Sequence, residues 1–321
     1  MLKKVAIQLG TFFFLLIVTL SHIQNPVTGG YIEELRGQAE QVMKEESPLY
    51  MEILRVKQDY VDPPIDARID PVWKAIPGYN GREVDVQKSY ENMKERGDFQ
   101  EEDLIFKETE PAVTLKDLPP SPIYRGNPNK PMVGFMVNVA WGNDHLPDIL
   151  KTFKENDVKA TFFLDGSWVK NNSNLAMMIK EEGHEIGNHA YSHPDMKRLA
   201  RESIRDEIMR TNDVINAALS EKPVWFAPPS GSFREDVVTI ASELNMYTIL
   251  WTVDTVDWKN PSSTQMTQRV VNHAEPGSLI LMHPTASSAN GLEAMIDGIK
   301  KKNLQIGKLS EVLSEKRLSD S

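Results

Sequence analysis

The chain of 321 residues contains no cysteine. Disulfide scaffolds, thiol nucleophiles and cysteine-based zinc sites are therefore excluded, and any metal must be held by His, Asp, Glu or Asn. Positive charge is also scarce. Lys and Arg total 36 against 46 Asp and Glu, a formal net charge of −10. Such a balance offers no broad basic footprint for phosphates, so no nucleic-acid partner is expected. There is no internal repeat, and long apolar runs are missing everywhere except at the N-terminus. What remains, 40% hydrophobic and 26% charged, is enough to bury a sizeable core and argues for a folded chain.

The N-terminal exception begins after Lys3 and Lys4 and runs from Val5 to about Leu20. It is long for a signal-peptide core of about 7–15 residues and short for a spanning helix of roughly 20. Leu20-Ser21-His22-Ile23-Gln24 offers no small-x-small cleavage site. Residues 1–24 are therefore expected to be a signal-anchor or signal peptide that engages the cytoplasmic membrane. The remainder would then be extracytoplasmic, either anchored or secreted. A buried core helix is the other reading of this run.

Residues 25–125 are polar and rich in breakers, with Pro63-Pro64, Pro77-Gly78 and Pro119-Pro120-Ser121-Pro122. They read as a small accessory region or stalk, with a solvated helix over 31–45 and a short one at Tyr90–Lys94. Gly126-Asn127-Pro128-Asn129-Lys130-Pro131 then suggests a boundary, so that 126–318 forms the main domain. Beyond it, strand-length apolar runs (Val133–Val137, Ala160–Leu164, Val224–Phe226, Thr248–Trp251, Ser278–Met282) alternate with helical stretches. The helices are expected at Leu146–Asn156, Asn174–Glu182, Ser203–Leu219, Glu235–Asn245, Gln265–Ala274 and Ala289–Lys301. This alternation predicts an α/β fold of parallel strands and crossover helices, a barrel or a doubly wound sheet.

In a barrel the chemistry sits at the C-terminal ends of the strands. Polar residues fall there: Asn138, His189 and His193, Asp254 and Asp257, and His283. His189-Ala190-Tyr191-Ser192-His193 spaces two imidazoles so that, on a helix or tight loop, both can reach one metal ion. Two surface histidines would show the same spacing. Asp257 also suits a helix N-cap, and His283 a satisfied core histidine.

The segments Val158-Lys159-Ala160-Thr161-Phe162-Phe163-Leu164, GHEIGNHAYSHPD at 183–195, Pro228-Pro229-Ser230-Gly231-Ser232-Phe233, LWTVDTVDWKNPS at 250–262 and PGSLILMHPT at 276–285 carry a resemblance. Over residues 132–315 the chain resembles the polysaccharide deacetylase family, the NodB-homology domain of carbohydrate esterase family four. The resemblance implies a distorted parallel (β/α) barrel. It also implies removal of N-acetyl groups from cell-wall glycan, such as peptidoglycan or a chitin-like polymer, by water activated on a divalent metal, usually zinc. Carried over, His189 and His193 resemble metal ligands and His283 the general acid. Asp257 and Trp258 resemble the pair that tunes that acid and walls the groove, with Asp254 as a second member of the network. Trp141, Pro229 and Ser230 are expected beside Trp258 along the substrate groove.

The family's first motif is degenerate here. Asn138 stands at the position of the base, Val139 at that of the metal carboxylate, and Ala227 replaces the Arg that supports the base. Ser230 replaces the usual Tyr. An amide cannot accept a proton as a carboxylate does, and two histidines leave a zinc shell incomplete. Asp144, nearby on the same loop, is the expected substitute ligand, ahead of Asn143 and His145; its other reading is a helix cap. Losing the base and its Arg together avoids stranding a buried guanidinium. Two functions follow as expectations: a metal-dependent N-deacetylase of N-acetylated polysaccharide, or a catalytically impaired deacetylase fold that binds glycan or envelope partners.

Overall fold

The computed structural model describes residues 9–16, 30, 31, 33, 34 and 47–318. Residues 9–16 are helical, with Phe12, Phe13, Phe14 and Leu15 exposed. The rest of the apolar run, and most of the helix expected at 31–45, lie outside the described residues. Among the described residues no helix is long and apolar enough to cross a membrane.

The chain divides into two compact units. One comprises Met1–Asp62 with Arg82–Lys107, the other Pro63–Gly81 with Glu108–Ser321. The division differs from the boundary expected at residues 126–131. Residues 63–81 and 108–125 belong with the larger unit, because Ala75, Leu115 and Ile123 are buried in its core. The smaller unit contains helices Pro48–Val56 and Val86–Met93. Pro48 opens the first, and the Asp85 side chain caps the second by accepting from Lys88 N. Leu49, Ile53, Val84, Met93 and Leu104 form its core.

The main sheet of the larger unit comprises β1 (Met132–Val139), β2 (Thr161–Leu164), β3 (Glu185–Asn188), β4 (Trp225–Phe226), β5 (Tyr247–Thr248), β6 (Val253–Asp254), β7 (Leu279–Met282) and β8 (Gln305–Gly307). The helices that alternate with these strands are α1 (Leu146–Glu155), α2 (Gly166–Asn171), α3 (Ser173–Glu181), α4 (Arg201–Leu219), α5 (Glu235–Glu243), α6 (Ser263–His273) and α7 (Ala286–Lys300). All strand pairs of this sheet are parallel, in the order β6-β7-β1-β2-β3-β4-β5, with β8 alongside the start of β1. Among the described residues no ladder joins β5 to β6. The expected barrel is therefore a curled half-barrel, open at that seam.

Alternation along β1 decides what the site contains. Val133, Phe135, Val137 and Val139 pack with Leu146, Ile149 and Phe153 of α1 in the layer between sheet and helices. Met132 and Met136 face the concave side with Phe163, Ala227, Ile249 and Leu279. Every residue of β1 is buried, as a central parallel strand requires. Gly187 in β3 serves the same concave packing: a Cβ there would come within 2.5 Å of the Phe163 ring.

Candidate functional site

The C-terminal ends of β1, β3, β6 and β7 deliver Asn138, His189, Asp254 and His283 to one edge of the sheet. There they line a cleft of about 440 Å³ together with Trp141, His193, Ser230, Trp251 and Trp258. The convergence expected of the three histidines is present, on a loop and not on a helix.

His189 is 1% exposed, and its Nδ1 lies 2.7 Å from the Ala227 carbonyl oxygen. That bond makes Nδ1–H the donor and leaves Nε2 with a free lone pair. Burial, with the His193 imidazole beside it, holds the His189 pKa down at about 3, so the ring is neutral. The two rings meet edge to face with centroids 5.2 Å apart. His193 is reached by a loop in which Ala190 (φ 61°) and His193 (φ 54°) are both left-handed. Glu207 of α4 holds that loop, accepting from Tyr191 N and Ser192 N, each at 2.8 Å, and from Ser192 Oγ at 2.7 Å. Gly166 N and Ser167 N, at the start of α2, donate to the carbonyls of Ala190 and Tyr191.

On the opposite wall, Asp257 is fully buried. Its carboxylate accepts from His283 Nδ1 (2.8 Å), His283 N (2.5 Å) and Ser288 Oγ (2.6 Å). Asp257 is thus a positioning residue for His283, whose Nε2 is left to the cleft. Trp141 stacks on the His283 ring, with planes 8° apart and centroids separated by 5.8 Å. Trp258 is 52% exposed, with Lys259 Nζ 4.7 Å from its ring centre. Asp254 Oδ1 accepts from Val256 N at 2.7 Å, which turns the chain into the segment bearing Asp257.

Several expectations need correction. Asp144 does not join the histidines. Gly142, at φ 85° and tight against Pro284, redirects the chain into the turn Asn143–His145, where Asp144 is exposed and outside the cleft. Asn143 is structural, accepting from Trp168 Nε1 (2.7 Å) and donating to Asn172 Oδ1 (2.8 Å), and His145 occupies the N-cap position of α1. Pro229 is buried and lines no part of the cleft, whereas Ser230 does. Val139 lies in the helix-side core, because β1 continues straight through it.

Sequence reasoning missed Glu207, Ser288, Trp251 and Asp165. For Ser288 a signal existed: it sits three residues after Thr285, the N-cap of α7. Asp165 caps α2 through Oδ1, accepting from Trp168 N (2.8 Å) and Ser167 Oγ (2.6 Å), while Oδ2 is buried without a partner. Burial pushes its carboxyl pKa up.

Residues 125–249 match the family described as polysaccharide deacetylase. The chain belongs to this family, carbohydrate esterase family four. Over 315 residues it is 46% identical to the uncharacterized protein YlxY of Bacillus subtilis, covering 98% of this chain and 99% of that one. A wild-type pseudoenzyme of the family from Bacillus anthracis has a solved structure similar to this one. The two are 52% identical with a TM-score of 0.79, covering 84% of this chain and 96% of that one. A mutant of that pseudoenzyme, at 51% identity and TM-score 0.79 over 84% of this chain and 99% of its own, is described as having restored enzymatic activity. The chain is also 35% identical over 184 residues to the peptidoglycan-N-acetylglucosamine deacetylase of Bacillus cereus, covering 56% of this chain and 67% of that one.

The family is typically metal-dependent, and the donors here do not fit that metal. A catalytic zinc takes three protein ligands and keeps a fourth position for water. Of the ligands that the resemblance implies, His189 and His193 would supply two, Val139 at the carboxylate position is buried in the core, and Asp144 is exposed outside the cleft. Among the described residues no group of three His, Cys, Asp or Glu is placed to hold a metal ion.

Proposed function

We propose that this protein is a catalytically impaired member of the deacetylase family that binds cell-wall glycan without efficient hydrolysis. One observation carries this reading. The cleft keeps its aromatic walls and its Asp257-oriented His283, yet holds Asn138 where a base would stand and has neither a third metal donor nor the Arg. Amide hydrolysis needs a nucleophile made at neutral pH and a positive centre for the developing oxyanion, and these residues supply neither. Indole faces are suited to the apolar faces of sugar rings. The similarity to a pseudoenzyme of the same family supports the loss of turnover, and that to a peptidoglycan-N-acetylglucosamine deacetylase supports peptidoglycan as the polymer.

The same reading takes the protein to act outside the cytoplasmic membrane, tethered by its N-terminal run. Lys3 and Lys4 before that run and the exposed Phe12–Leu15 face support this. Membrane fractionation of the full-length chain tests the tether.

For the function itself, chitooligosaccharide and peptidoglycan are offered to the soluble chain with and without zinc, measuring acetate release and sugar-dependent tryptophan fluorescence. Binding without acetate is expected. Acetate release that depends on zinc would reinstate the hydrolase.

A further inference from the structure

The polar floor of the cleft is rich in acceptors and poor in charged donors. Asn138 is 4% exposed, and its Oδ1 is buried with no hydrogen-bond partner. His189, whose Nδ1–H is committed to Ala227, turns a lone pair at Nε2 toward the same space. Asp254 adds a carboxylate, and no lysine or arginine lines the cleft. Register places two of these groups on strands that flank β7. Asp254 pairs with Leu281, whereas Asn138 follows the Val137–Met282 pair and stands level with His283, two residues further along. At about 4.8 Å between neighbouring strands, each lies roughly 5 Å from its own neighbour on the β7 side. Trp141, Trp251 and Trp258 wall the space above.

A ligand group matching this floor should be donor-rich and cationic. An acetamido group brings one N–H, a carbonyl that needs a donor, and a methyl. A primary ammonium brings three N–H donors and a charge that both a carboxylate and indole faces favour. We propose that the cleft prefers the de-N-acetylated amino sugar, seating its ammonium on Asn138 Oδ1, His189 Nε2 and the Asp254 carboxylate while the tryptophans pack on the ring. On this view the protein recognises glycan that a deacetylase has already processed. The inference rests on the glycan-binding reading above.

The test compares glucosamine and N-acetylglucosamine oligomers of equal length by titration of the soluble chain's tryptophan fluorescence. Salt is held at ~0.15 M to screen the chain's overall negative charge. The glucosamine oligomer should bind at least about tenfold tighter. Asp254→Asn keeps an oxygen for the Val256 amide and should reduce that preference to about threefold or less. Equal or tighter binding of the acetylated oligomer overturns the preference and leaves glycan binding standing. A preference unchanged in Asp254→Asn also overturns it, assigning the attraction to net charge. Failure of both oligomers to bind removes the inference together with the reading beneath it.

Discussion

The two walls of the cleft differ in how their polar groups are partnered. On the β7 wall every acceptor of the Asp257 carboxylate is engaged, by His283 and by Ser288. On the β1 wall the Asn138 oxygen has no partner, Val139 faces the helices, and Ala227 contributes only its carbonyl, to His189. The features that the family resemblance implies and this wall lacks are all charges: one carboxylate for a base, one for a metal, one guanidinium. Their joint absence leaves no ion stranded in a buried site, where an unpaired charge is far more costly than an unpaired amide. On the proposed reading, hydrolytic machinery is lost from one wall while the fold and the opposite wall stay intact.

The sharpest way to break this comparison is to restore a charge on the β1 wall. Val139→Asp would place a carboxylate among Phe135, Leu146 and Ile149 and should cost about 4–5 kcal/mol in denaturant unfolding. A neutral result would mean that the strand end can turn residue 139 into the cleft. On the other wall, Asp257→Ala strips three hydrogen bonds at once and should cost about 3 kcal/mol. Ser288→Ala, which removes one of them, should cost about a third as much.

Acid probes both a cleft histidine and one remote from it. Burial holds His184 at about 4 and His189 at about 3, both below the ordinary histidine value. The unfolded chain therefore takes up these protons first. Stability should be full above pH ~6.5 and fall as pH drops from there toward 4. His184→Phe should flatten part of that slope, and an unchanged slope would assign the loss elsewhere.

Smaller effects sharpen the picture further. Asn138→Asp and Ala227→Arg should each destabilise alone and partly compensate together, with a coupling energy of about 1 kcal/mol; strict additivity would refute the linked loss. Trp141→Ala, at a residue 46% exposed, should change stability by less than about 0.5 kcal/mol while weakening glycan binding.

Much of this was legible in the sequence. The helices from Leu146 to Lys300 were foreseen except for short α2, and β1, β2, β4 and β7 were found because continuous apolar runs mark buried parallel strands. β6 and β8, of two and three residues, carry no periodicity to read, and β3 is interrupted by the glycine that Phe163 demands. The histidines, Asn138 and Asp257 were readable because strand ends collect chemistry, and the link between Asp257 and His283 because the family resemblance implies it. Asp144 was misread because nearness along a loop says nothing about direction once a left-handed Gly142 turns the chain. The division into units was hidden because each draws on separated stretches of chain.

The segment before β1 governs how this gene can be trimmed. Ile123 is fully buried beside the open seam, donating its N–H to Thr248 O and accepting from Leu250 N, while Gly126 N bonds to Gly277 O. A clone begun at the apparent linker would lack this stitch and expose the flank of the sheet to self-association. Keeping residues from 47 onward preserves Ala75 in the same core and leaves Val84, Met93 and Leu104 with Leu49 and Ile53, so the workable cut lies well upstream of where proline and glycine advertise one.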